Sequence, residues 1–130
     1  MNRTKAREYA FILIFEYRFQ PDAIEAILND FIAEYEPGEQ KAYIEDVVTG
    51  VVRNRAEIDS KIEEVSKGWS TDRISCVSLA VLRLAVYEIL NCADIPNAVS
   101  VNEAVALAKK YDGDEAAPFV NGILGSVSGS

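Results

Sequence analysis

The chain has no histidine. That absence removes histidine-dependent triads, the commonest general base and the commonest metal ligand. Cysteine is nearly as scarce. Cys76 and Cys92, sixteen positions apart, make no zinc pattern and no disulfide framework, so both are expected to be reduced thiols of a cytosolic protein. Neither GxGxxG nor GxxxxGK followed by Ser or Thr occurs, which leaves no phosphate-cradling loop. Long apolar runs are missing too. The longest, Val77 to Leu90, is interrupted by Ser78, Arg83 and Glu88 and reads as a buried core helix rather than a bilayer span. No charged-then-apolar leader opens the chain, so no export signal is expected. Carboxylates are plentiful, but Glu34, Glu36 and Glu39 flank a helix end and the Pro37-Gly38 turn, where a solvated surface is the expected role. No enzyme, cofactor or metal site is expected.

Basic charge is scarce and uneven. A formal net charge of −8 argues against wholesale coating of nucleic acid. Residues 20–48 are net −7 and residues 76–130 net −3, while residues 49–75 balance. Residues 1–19 are net +2, the only net basic segment.

What the chain has is apolar residues, 49% of its 130, enough for one domain spanning residues 1–130 with a real core. Their spacing is helical almost throughout. The first helix is predicted over Thr4–Tyr17, with Ala6, Tyr9, Ala10, Leu13 and Tyr17 on one stripe. Pro21-Asp22 starts a second, where Asp22 and Glu25 resemble a capping box, and Pro37-Gly38 ends it. A third spans Glu39–Arg53. Asn54 is predicted to cap a fourth that stops at Gly68. The fifth, Asp72–Asn91, is apolar nearly all round and belongs at the centre of the fold, with Arg83 and Glu88 as satisfied structural charges at its exposed edge. Ser100 to Glu103 reads as a capping box for a sixth helix ending near Tyr111.

The segment Pro118 to Val127 is ambiguous. Asn121-Gly122 is a hairpin signal, yet Phe119, Ile123 and Val127 recur at helical spacing. Strand alternation is lacking, so a seventh helix is predicted, with Pro118 in its first turn. Gly122 and Gly125 are expected to let a neighbouring helix approach closely. The prediction is an all-α fold of about seven helices.

The final third carries a specific resemblance. "AVLRLAVYEIL", then "IPNAVSVNEAVALAKKY", then "FVNGIL", together with the opening "KAREYAFILIFEY", is similar to the NusB family of transcription antitermination factors. The resemblance implies two small packed helical bundles and RNA binding without catalysis. It also implies boxA-type RNA as ligand, NusE as protein partner and membership of an RNA polymerase antitermination complex in the cytoplasm. Monomer and homodimer are both compatible with it. The same fold forms the N-terminal domain of a ribosomal RNA methyltransferase, but nothing here is long enough to add the catalytic domain.

The family's arginine-rich segment maps onto Arg3, Lys5 and Arg7, diluted by Asn2, Thr4 and Ala6. These cations would meet phosphates. In a regular helix Arg3 and Arg7 share a face, and Lys5 points about 200° away. Ordinary helix-start solvation is the plain alternative. Phe119 matches the family's aromatic beside the RNA, where a base can stack; alone it reads as the first apolar knob of the last helix. Glu115 matches an acidic position near the RNA. Lys109 and Lys110 suit a helix C-terminus, and an extended RNA surface would include them. Phe15 and Ser78 fall on the family's partner surface. The competing reading is a helical protein-interaction module without RNA binding of its own, suggested by the acidity and the thin basic segment.

Overall fold

The computed structural model describes residues 1–67 and 70–129. Among them are seven α-helices and no strand: α1 (Arg3–Glu16), α2 (Ile24–Tyr35), α3 (Lys41–Arg53), α4 (Arg55–Val65), α5 (Cys76–Asn91), α6 (Asn97–Asp112) and α7 (Ala116–Ser128). The predicted all-α fold is what forms. Single 3-10 turns precede α2, α3 and α5. The first three helices pack as one group and α4 to α7 as another, with α5 touching α1, α3, α4, α6 and α7. Every residue from Ser78 to Glu88 is buried, as an all-round apolar helix requires. Among the described residues no helix is long and apolar enough to cross a membrane. The stop expected at Gly68 lies outside the described residues.

Several local signals are overruled. Asn54 does not cap α4; its amide donates to the carbonyl of Gly50, 2.8 Å away, tying α4 back to the end of α3. Asp22 makes no capping bond, because a 3-10 turn over Pro21–Ala23 precedes α2. The fifth helix starts four residues later than expected, at Cys76, where Ser75 accepts from the backbone N–H of Ser78. The Ser100 capping box does not form. Helix α6 begins a turn earlier, after Pro96 in extended conformation, and Ser100 sits inside it. Its hydroxyl donates to Glu88 instead (2.8 Å). Arg83 and Glu88 are satisfied as expected but fully inside, not at an exposed edge. Arg83 makes a bidentate bond to Asp59, at 2.8 and 2.9 Å.

Helix α7 resolves the ambiguous segment as a helix, started within the turn that holds Pro118. Val120 and Leu124 are its deepest side chains, and Ile123 and Val127 are also buried. Gly122 and Gly125 face open space, so the expected close approach is not there. The close approach is at Gly50 of α3, against the ring of Tyr87 on α5. Cys76 is exposed and Cys92 buried, and both are free thiols. Burial first, then the neighbouring Asp46 carboxylate, pushes the Cys92 thiol up to about 12.

Candidate nucleic-acid and partner interface

Helix α1 starts cleanly. The Asn2 side chain accepts from the backbone N–H of Lys5 (2.8 Å). The helix then sends its three early cations to three different fates. Arg3 is half-buried, donates to Gln40 (2.6 Å) and lies over the Tyr43 ring, 4.2 Å from its centroid. Arg7 follows on the same face, 5.4 Å from the same ring. That face turns inward. Arg7 is 3% exposed and donates through Nε and Nη2 to Glu88, at 2.8 and 3.2 Å. Glu88 also accepts from the Tyr43 phenol and from Ser100. Glu103 adds a carboxylate 3.4 Å from Arg7 Nη1. Burial works against the Arg7 charge, but its bonds to Glu88 outweigh that and hold its pKa above the ordinary value. A phosphate contact by Arg7 is therefore incompatible with this placement, because its guanidinium is enclosed and already paired.

Lys5 points the other way and is exposed. Its ammonium lies 3.1 Å from Glu8. The second oxygen of Glu8 accepts from Lys110 (2.5 Å) and from the phenol of Tyr111 (2.6 Å). One carboxylate thus gathers two cations from helices far apart in sequence. The bond from Lys110, then that from Tyr111, holds Glu8 down at about 2, against an ordinary 4.5. Lys109 is exposed beside them and makes no ion pair among the described residues.

Three of the other predicted residues meet in a separate groove. A groove of about 520 Å³ opens between the turn before α5, the end of α6 and the start of α7. Ser78, Glu115 and Phe119 all line it, with Arg73 and Asp112. Phe119 is half-buried against the core. Ser78 is only 3% exposed, and its hydroxyl donates to Asp112 (2.6 Å), which also accepts from Ser75 (2.5 Å). Asp112 is exposed at this point, and Ser78 is not. Phe15, on α1, does not line this groove; its ring stands 6.4 Å from Phe11, which stands 5.1 Å from Tyr111. The Arg18 guanidinium covers Phe15 at 4.3 Å and reaches the 77% exposed Phe19 at 4.7 Å. Sequence reasoning missed Glu8, Tyr111, Arg73 and Asp112. The pair Tyr111-Asp112, directly after Lys109-Lys110, was the one signal available for two of them.

Two lysines sharing the Glu8 carboxylate, a groove that holds Phe119 and an all-α scaffold now stand together. The NusB family model matches residues 4–129. The chain belongs to the NusB family. It is 49% identical over 128 residues to the transcription antitermination protein NusB of Acetivibrio thermocellus, covering 98% of this chain and 88% of that protein. Its fold is similar to that of T. maritima NusB, with a TM-score of 0.91, 34% identity and coverage of 100% of this chain and 92% of that one. It is also similar to a solved structure of antitermination factors NusB and NusE in complex with double-stranded RNA. There the TM-score is 0.85 and the identity 28%, covering 99% of this chain and 98% of that one. A NusB fold therefore underlies the site, and the residues around it are this chain's own.

Proposed function

We propose that this chain is a non-catalytic transcription antitermination subunit that grips boxA-type RNA jointly with NusE. In this reading residues 1–130 act as one RNA-binding domain, in the cytoplasm, within an RNA polymerase antitermination complex that reads through terminators, notably in ribosomal RNA operons. The observation that carries it is the meeting of Lys5 and Lys110 on Glu8, with the exposed Lys109 adjoining in the chain and Tyr111-Asp112 leading on to the groove that holds Phe119.

The division of labour follows from the chemistry. Lys5, Lys109 and Lys110 meet phosphates, which positions the strand without reading its sequence. Arg3 adds charge from its half-buried post on Tyr43. A base stacks on Phe119, and Glu115 accepts from an amino group on a base edge. Arg7 acts indirectly, by fixing α1 against the core. NusE is placed on the side of Phe15 and of Asp112, which stands over Ser78.

The test is a titration of labelled boxA-type RNA, with and without NusE, at several salt concentrations. Binding that NusE strengthens and salt weakens is the expected result. Capture of NusE with no contribution from RNA at low salt would overturn the reading in favour of a protein-interaction module.

A further inference from the structure

A second groove, which begins beside Tyr9, plays no part in that function. It runs between α1 and α2, has a volume of about 430 Å³ and is walled by aromatic rings. Tyr9 stands 5.2 Å from Phe31 and 5.1 Å from Tyr35, and Phe31 stacks on Tyr35 at 4.7 Å. Tyr17 closes one end. Glu16, Asp30 and Glu34 line it as well; no arginine or lysine is among its lining residues, and Lys5 stands at its rim with its ammonium 5.3 Å from the centroid of the Tyr9 ring. Among the described residues none of these carboxylates has an ion-pair partner, and none of the hydroxyls of Tyr9, Tyr17 and Tyr35 has a hydrogen bond within the chain. Tyr35 is 46% exposed. The surrounding segment, residues 20–48, is the most acidic of the protein at net −7.

We propose that the α1–α2 groove is a docking site for an arginine- or lysine-bearing segment of a basic protein partner. Aromatic faces attract a guanidinium or ammonium through their quadrupole, and a carboxylate beside them supplies the counter-charge. The apolar floor, Ile12, Leu13 and Ile27, takes the methylene stems of the same side chains. A second copy of this chain fits less well. Two-fold pairing across the groove sets the carboxylates of one copy against those of the other. Nucleic acid is repelled by the same charges.

The probe is a short synthetic amphipathic peptide of arginine, leucine and alanine, titrated into the full chain and followed by amide chemical shifts and tyrosine fluorescence. Shifts confined to Tyr9, Glu16, Ile27, Phe31, Glu34 and Tyr35 are expected. Glu16→Gln/Asp30→Asn/Glu34→Gln should weaken the peptide roughly tenfold or more and flatten its salt dependence. The control Glu57→Gln/Glu63→Gln/Glu64→Gln removes equal charge from the exposed face of α4 and should leave affinity nearly unchanged. Tyr35→Ala, an exposed substitution, should weaken binding without loss of helicity. Equal losses in the two charge variants would reduce the attraction to net charge and overturn the site. Sedimentation showing a dimer that the groove variants abolish would overturn it in favour of a second copy. Binding of boxA-type RNA serves as a separate readout, which the groove variants should leave intact.

Discussion

A single buried carboxylate does much of the joining in this molecule. Glu88, 0% exposed, accepts from Arg7 of α1, Tyr43 of α3 and Ser100 of α6 while standing on α5. Removing one partner of such a pair leaves the other charged and desolvated, which costs about 3–5 kcal/mol. Arg7→Ala is therefore expected to lower unfolding free energy by about that much, measured by urea denaturation. Any loss of RNA binding in that variant then tracks the unfolded fraction rather than a missing phosphate interaction. Glu8, 8% exposed, is a second such acceptor. Its carboxyl is held at about 2, so its contribution to stability is complete above 4.5 and is lost as pH falls from there toward about 2. Glu8→Gln should shrink the acid-side loss of stability in that window and leave the pH dependence near neutrality as it is. Thermal melts across the acid range check this, and an unchanged acid slope would refute it.

At the scale of elements, glycine marks where helices touch and where they do not. A methyl on Gly50 would overlap the ring of Tyr87, which is 7% exposed and held at its hydroxyl by Asp46 (2.8 Å). The ring has no free direction to yield, so α3 must move away from α5. Gly50→Ala should cost about 1–3 kcal/mol, the usual range for overpacking. Gly122 and Gly125 are helix-interior glycines facing open space. Gly122→Ala should leave the fold intact and stabilise α7 by up to about 1 kcal/mol, the difference in helix propensity. The two substitutions make the same chemical change with opposite signs. Calorimetry of the pair distinguishes packing from propensity directly.

Across the whole molecule, α1 borders both a cationic cluster and an acidic groove, which adjoin where Lys5 lies over the Tyr9 ring. Cations from α1 and α6 converge on Glu8, while acids of α1 and α2 that have no ion pair among the described residues line the groove. The proposed RNA-facing side has two separable parts. Lys5→Ala/Lys109→Ala/Lys110→Ala should lower the slope of log affinity against log salt by about 0.7 for each phosphate of single-stranded RNA that is no longer neutralised. Phe119→Ala should cost about 1–3 kcal/mol of RNA affinity and leave that slope unchanged, because stacking releases no counterions. Fluorescence anisotropy at several salt concentrations reads both. Equal effects of the two variants on the slope would show that Phe119 acts only as a core residue.

Helix number, the central place of α5 and the apolar end of the chain were legible in the sequence. These follow from the spacing of apolar residues along a backbone that satisfies its own hydrogen bonds locally, so neighbours in the chain suffice to set them. The shared face of Arg3 and Arg7 was legible for the same reason. That this face points inward was not. Nor was the choice of Ser100 between capping its own helix and serving Glu88, the close approach at Gly50, or the meeting of Lys5 with Lys110 across Glu8. The motif at Ser100 looks complete from four residues, but an extra helical turn after Pro96 gave its hydroxyl a buried acceptor, and burial raises the value of a satisfied bond. Each of these outcomes depends on which helices lie side by side. A local pattern determines what a segment forms; only the packed structure decides which of its charges is enclosed and which is left to meet a ligand.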